Sequence, residues 1–414
     1  MGNEIAGYPV QEVEFTKAGK VHDAAQVQAL HTMITGGHIT DLLVLAHGWN
    51  NDADEARSLY TDWLTALAHA PTTLPAKADR KVGVLAVLWP SKKFVDPGET
   101  AGRGAGLTDQ GSDLADHIDA LDGIAAKPTI ARLAKLSGSL EDSAKARDEF
   151  VETLVNLLGD HAALDGESSG EVPRRLFDKN GDLLAELGTP ATAGLGHWIG
   201  GKIAGARNLL NYVTYYAMKT RAGDVGRKGL AGVLTKVRGD VARVHMVGHS
   251  FGCRLIAASL LGDGAVPAPT VSSMVLVQAA FSHNGFARHY DGTHDGFFRS
   301  VVAPRRVTGP ISITHSKHDT AVGIAYPLAA RIIGANPSDF AIGGRDDPFG
   351  GMGHNGARKT PEAVDTDMRA TGTYAGLAQQ TVVNVRADDY IRGHSDVRGP
   401  QVADLIAQTM AATT

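Results

Sequence analysis

Short continuous apolar runs alternate along this chain with segments whose apolar positions recur at helical spacing. Val10 to Phe15 alternates apolar and polar residues, which predicts a short strand ending at Ala18-Gly19-Lys20. Asp23 is placed to cap a helix through Ile34, with Ala24, Val27, Leu30, His31 and Ile34 on one face and Gly36-Gly37 after it. Asp41 to Ala46 is uninterrupted apolar after its first residue, the pattern of a strand buried on both faces. It empties into His47-Gly48-Trp49-Asn50-Asn51-Asp52, and a helix carrying Leu59, Trp63, Leu64 and Leu67 follows. Val82 to Leu88 is another buried strand, stopped at Trp89-Pro90. Strands alternating with helices predict an α/β fold with a mostly parallel sheet and right-handed crossovers.

The alternation then breaks. Residues 91 to 195 read as a largely helical insertion: a Gly-rich loop over Gly98 to Gly106, helical spacing from Leu107 to Gly159 interrupted near Pro128 and Gly138, then a polar stretch with turns at Asp165-Gly166 and Asn180-Gly181. Gly196 to Met218 carries Trp198, Tyr212, Tyr215 and Tyr216 among small residues. Its Gly200, Gly201, Ala204 and Gly205 fit a closely packed core or cap helix better than membrane contact, and Lys202, Arg207 and Asn208 argue against a span. Asp224 to Val237 reads as a helix leading into Val244 to Val247. Strands are expected again at Ser273 to Ala280, Ile311 to His315 and Thr381 to Val385, with helices over Ala325 to Ile333 and Gln401 to Met410. The loops 281–309 and 334–375 read as irregular, the second Gly-rich. The expected division is a core of 1–90 and 220–414, with 91–219 as a helical insertion or cap.

Composition narrows the function classes. The net charge of -5 over 414 residues, from 40 Lys+Arg against 45 Asp+Glu, gives no sign of a nucleic-acid surface. The single cysteine, Cys253, permits no intrachain disulfide and no cysteine-based metal site. No apolar leader or bilayer-length run appears, so the expected location is cytoplasmic.

The chemistry is concentrated at Gly248-His249-Ser250-Phe251-Gly252. A Gly-x-Ser-x-Gly between an apolar strand and a helix is the pattern of a nucleophile elbow, a sharp turn whose flanking positions must be small. A serine hydroxyl needs a base within hydrogen-bond reach, and the base needs a carboxylate to orient it. Groups that act in an open parallel sheet come from loops at the carboxyl ends of strands. That rule selects His394, after the last strand, and Asp319, after the Ile311 strand, with Asp388 or Asp389 as alternatives for the acid. The chain order is Ser250, Asp319, His394.

With these motifs the chain resembles the α/β-hydrolase fold superfamily, over roughly 1–90 and 220–414, and in particular bacterial α/β-hydrolases with a His-Gly-Trp-Asn opening. The resemblance implies a serine hydrolase of esterase or lipase type. It implies Ser250 as nucleophile, His394 as general base and then acid, and Asp319 as the group holding the imidazole. It implies an oxyanion hole from the backbone N–H groups of Trp49 and Phe251, and no cofactor. His47, His249 and Asn50 are candidate pocket residues. The expected substrate is a small-molecule or lipid ester; a thioester, an amide, a phospholipid, or ligand binding without catalysis are the alternatives. His283, His289, Asp291, His294 and Asp295 share one loop and His354 another, but their spacing fits no compact zinc motif, so no metal is expected.

Overall fold

The structure is a computed structural model, and it describes residues 3–72, 80–91, 114–119, 121–165, 202–303, 305–325, 344–347, 350–374, 376–377 and 381–413. The chain divides into two compact units. The first takes in Met1–Ser91, Arg221–Pro327 and Phe340–Thr414. It opens with β1 (Asn3–Ile5), β2 (Tyr8–Glu14), α1 (Ala24–Gly37), β3 (Asp41–Ala46), α2 (Ala53–Ala68) and β4 (Val82–Leu88). The second holds α3 (Leu114–Asp119), α4 (Lys127–Ser137), α5 (Ala144–Asp165) and the larger part of α6 (Lys202–Asp224). The first unit resumes through a π-helical turn over Val225–Leu230, then α7 (Ala231–Val237), β5 (Arg243–His249), α8 (Phe251–Ser259), β6 (Ser273–Val277), α9 (Arg299–Val302), β7 (Ile311–His315), α10 (Met352–Asn355), β8 (Ala363–Asp367), β9 (Val382–Arg386) and α11 (Pro400–Ala411).

The nine strands among the described residues form one sheet in the order β1-β2-β4-β3-β5-β6-β7-β9-β8. Every neighbouring pair is parallel except β1 with β2. The pleat sends alternate residues to opposite faces. Leu43, Leu45, Val84, Ala86, Val247, Val275, Val383 and Val385 join one core cluster with Tyr60 and Trp63 of α2 and Leu405 and Ile406 of α11. Leu42, Val44, Val244 and Met246 are equally buried but lie outside that cluster, on the face where α1 and α8 pack.

Several boundaries differ from the sequence expectations. Gly36 and Gly37 are the last residues of α1 rather than the residues after it, and His38 caps it, its left-handed φ of 52° letting its N–H reach back to Ile34 and Thr35. The interruptions expected near Pro128 and Gly138 do fall at helix ends: Pro128 sits in the first turn of α4, where its missing N–H costs nothing, and Gly138 caps the end. The segment from Asp224 is not a separate helix: the backbone runs on from α6 through the π-helical turn. A Cβ on Gly226 would lie 2.2 Å from the Leu255 carbonyl oxygen, and one on Gly229 2.5 Å from that of Gly19, so glycine is required at both close approaches. The Gly-rich 334–375 region holds β8, which adds an edge strand to the sheet. Asp165 of the first expected polar turn is the last residue of α5; beyond Ala325, the helix expected to Ile333 lies outside the described residues, as do Gly98 to Gly106, Gly166, Asn180-Gly181, Trp198, Gly200 and Gly201.

At the amino ends of β3 and β5 a buried carboxylate gathers three cationic or imidazole groups. Asp41 Oδ1 accepts from Arg243 Nε at 2.9 Å, His245 Nε2 at 3.0 Å and Arg80 Nε at 3.0 Å. Burial alone would raise the Asp41 pKa, but hydrogen bonds from His245, Arg243 and Thr40 hold it well below the usual carboxylate range. Arg80 continues to the Met410 carbonyl and the Thr413 hydroxyl, tying the end of α11 to the same knot.

Candidate active site

From β3 the sheet steps one way to β4, and from β5 it steps the other way to β6 and β7. The carboxyl ends of β3 and β5 therefore flank the point where strand order reverses, the place where open parallel sheets leave a crevice. Ser250 follows β5 and His47-Gly48-Trp49 follows β3. Ser250 has φ 55° and ψ -121°, a strained conformation for a residue with a Cβ. Its N–H donates to the Val277 carbonyl at 3.1 Å, so the turn is pinned to β6. A Cβ on Gly248 would meet the backbone of Gly252 and Cys253 at 2.6 Å, and one on Gly252 would meet the Ala46 carbonyl oxygen at 2.2 Å. The serine turn can close only with glycine at both places. A Cβ on Gly48 would lie 2.9 Å from the Ser250 Cβ, which measures how tightly the β3 turn abuts the serine.

Three loops bring their side chains into one hydrogen-bonded chain. Ser250 Oγ lies 2.8 Å from His394 Nε2, and His394 Nδ1 lies 2.9 Å from Asp319 Oδ2. Asp319 is fully buried. Its Oδ1 accepts the Val322 N–H at 2.9 Å, and its Oδ2 also accepts Gln278 Nε2 at 2.9 Å. Burial would raise the Asp319 pKa, but the His394 charge and these hydrogen bonds outweigh it and hold the carboxyl below its ordinary value. Asp388 stands apart: its carboxylate accepts the Lys317 N–H at 2.9 Å.

Gln278 was not singled out in the sequence. It follows β6 directly, in the left-handed region at φ 48°. Its Nε2 donates to both Asp319 Oδ2 and the Gly353 carbonyl, and its Oε1 accepts from the Thr314 hydroxyl at 3.0 Å. The rule that selected His394, polarity at the carboxyl end of a strand, applies to Gln278 as well; the apolar run before it made it look like part of the strand.

The remaining site candidates lie behind or beside this chain. His249 Nε2 donates to the His394 carbonyl oxygen at 2.9 Å. Burial, reinforced by the His394 charge, lowers the His249 pKa to about 3, so it stays neutral at pH 7. His47 is buried beneath the β3 turn and stacks on Trp89 with ring centroids 5.6 Å apart. Its Nε2 accepts the Trp89 N–H at 3.3 Å, which leaves Nδ1–H to donate to the Gly48 carbonyl at 3.0 Å. Burial lowers its pKa to about 4. His47 thus braces the turn from below. The Asn50 N–H donates to the Ser91 carbonyl, and Asn50 takes φ 60°. Asn51 Nδ2 donates to the carbonyls of Gly48 and Trp49, and Asp52 caps α2 in a capping box with Glu55. Phe251 is the first residue of α8, and its ring lies 6.0 Å from that of Trp49.

The histidines of the 281–309 loop are dispersed. His289 faces Asp295 at 3.4 Å, His294 bonds Asp291 at 2.7 Å, and His283 pairs with Asn355 at 3.2 Å. His354 Nδ1 lies 3.2 Å from the Asp319 carbonyl oxygen. Among the described residues no three His, Cys, Asp or Glu side chains are grouped to hold a metal ion. Cys253 is buried, with Sγ 3.0 Å from the Gly248 carbonyl oxygen, and burial pushes its pKa well up.

Among the described residues no helix is long and apolar enough to cross a membrane. Comparison of the chain with family models, with curated proteins and with solved structures found no match.

Proposed function

We propose that the chain is a serine hydrolase of the α/β-hydrolase fold that cleaves a carboxylic ester through an acyl-enzyme. The observation that carries the reading is the run Ser250 Oγ, His394 Nε2, His394 Nδ1, Asp319 Oδ2 set on a strained serine turn. In this reading His394 takes the Ser250 proton as Oγ bonds to the carbonyl carbon. The tetrahedral oxyanion is held by the backbone N–H groups of Trp49 and Phe251. His394 then gives the proton to the leaving alcohol as the C–O bond breaks. Water, deprotonated by His394, attacks the acyl-enzyme, and the proton returns to Ser250 as the acid departs. Asp319 keeps the imidazole in the tautomer that offers Nε2 to the serine, and its lowered pKa keeps it ionised for that task. An ester is favoured by the resemblance to esterases and lipases; a thioester or amide would use the same steps.

The test is labelling with a fluorophosphonate probe, read by mass spectrometry. Label on Ser250 that is absent from Ser250→Ala is the expected result, and hydrolysis rates on matched ester, thioester and amide substrates then fix the bond cleaved. No label on well-folded protein would overturn the reading in favour of a binding protein. Turnover unchanged by lipid vesicles would set aside a phospholipase.

A further inference from the structure

Away from Ser250, Arg288, His289, Arg358, Lys359, Thr360 and Asp365 line a groove of about 470 Å³. The size is that of a small-molecule site. Two crossing loops build it: the Arg288 N–H donates to the Lys359 carbonyl at 2.9 Å, and the Arg358 N–H to the His283 carbonyl at 2.7 Å.

Charge in this region is otherwise matched. Arg299 is held by Glu362, Arg345 faces Asp365 at 3.8 Å, and Arg386 pairs with Asp367 at 2.7 Å. The guanidinium groups of Arg288 and Arg358 have no ion pair or hydrogen bond among the described residues, and Arg358 Nε is buried without an acceptor. Lys359 Nζ reaches only the Tyr290 carbonyl among the described residues. Among the described residues three cations line the groove with one carboxylate, Asp365, which already faces Arg345, while Arg288 also acts on Glu362, so the lining is net positive. A phosphate monoester, with roughly two negative charges at pH 7, complements it. Like charges gathered in a concave wall repel one another and focus a field that concentrates anions. Two of the lining residues, His289 at φ 50° and Lys359 at φ 49°, also hold the left-handed backbone, a strain that marks sites more often than plain surface.

We infer that the groove formed by Arg288, Arg358 and Lys359 is a binding site for a small molecule bearing a phosphate monoester, separate from the Ser250 chemistry. Arg288 and Arg358 offer forked donors to phosphate oxygens, and Lys359 adds a point charge. The inference does not rest on the hydrolase reading.

Isothermal titration calorimetry of the full chain with phenyl phosphate, at fixed ionic strength and with sulfate and chloride as comparison anions, tests it. Saturable one-to-one binding of phenyl phosphate is expected, surviving physiological salt and unchanged in Ser250→Ala. Arg288→Gln, at an exposed position, is expected to weaken it about tenfold or more. Lys359→Asn removes the charge while tolerating the left-handed backbone, and it is expected to do the same. Melting temperatures near that of the parent would show both variants folded. Absence of saturable binding in the millimolar range, equal binding of sulfate and phenyl phosphate, or parental affinity in both variants would overturn the inference.

Discussion

His249 donates from Nε2 to the main-chain carbonyl of His394, so the residue before Ser250 holds in place the loop that carries the histidine bonded to Ser250. His249→Ala removes that tether, and with it the contact of the His249 ring with the His394 ring at 5.0 Å between centroids, while leaving Ser250 and Asp319 themselves unchanged. On the proposed function it is expected to slow fluorophosphonate labelling and ester turnover by roughly ten- to a hundredfold, because small displacements of an acting group cost that much. A His249→Gln variant, which can still donate, is expected to recover part of the loss. Labelling at the parental rate in His249→Ala would remove the positioning role.

Gln278 supplies one of the hydrogen bonds that keep Asp319 ionised. Gln278→Leu removes it and leaves the Thr314 hydroxyl without its acceptor, while the Gly353 carbonyl keeps the Ser316 N–H, for an expected cost of about 1.5–3 kcal/mol at pH 7. The direction with pH follows from the sign of the shift. A carboxyl held below its unfolded value gives stability that is fully present above about pH 4 and is lost as pH falls through the folded value. With a donor gone the folded value rises, so acid unfolding of the variant moves to higher pH. Urea denaturation across pH 7 to 3 reads both effects.

Asp41 lies at the far end of β3 from the serine, roughly 16 Å away along a strand rising about 3.3 Å per residue. Asp41→Asn leaves Arg80 and Arg243 without their anion, for an expected loss of about 3–5 kcal/mol. Asp41 too is held below its ordinary value, so its contribution is present above about pH 4 and fades as acid protonates it. The labelling rate per folded molecule is expected to stay parental. A denaturant midpoint shift with unchanged labelling separates this knot from the site.

Ser250 pays for its place in backbone strain. Ser250→Gly is expected to be more stable than Ser250→Ala by about 1 kcal/mol or more, since only glycine occupies that conformation freely. Chemical denaturation of the two variants, side by side, measures the strain.

The positions of Ser250, Asp319 and His394 were legible because each follows a strand with a strong apolar signature, and polarity at the end of such a strand stands out. The glycines around Ser250 carried the turn in plain view. Gln278 was hidden by the same signal, since Met274 to Val277 drew it into the strand. β8 was hidden for the opposite reason: Ala363-Val364-Asp365-Thr366-Asp367 is an edge strand, mostly exposed, and carries no apolar run. β1 is too short to print a period. The tether from His249 to His394 depends on a main-chain oxygen far along the chain, and no local pattern encodes such a contact.

β8 has a consequence for how copies of this chain meet. It pairs with β9 on one side, and among the described residues no strand pairs with its other edge. Asp365 and Asp367 stand two apart along it, each about two-thirds exposed, with Val364 the exposed large hydrophobic between Ala363 and Asp365. Each carboxylate is paired with an arginine, Arg345 or Arg386, so two copies approaching edge to edge would bring exposed, hydrated ion pairs against each other before any backbone bond could form. The outermost strand therefore works as a bumper, and it keeps a nine-stranded sheet from growing a tenth strand at a neighbour's expense.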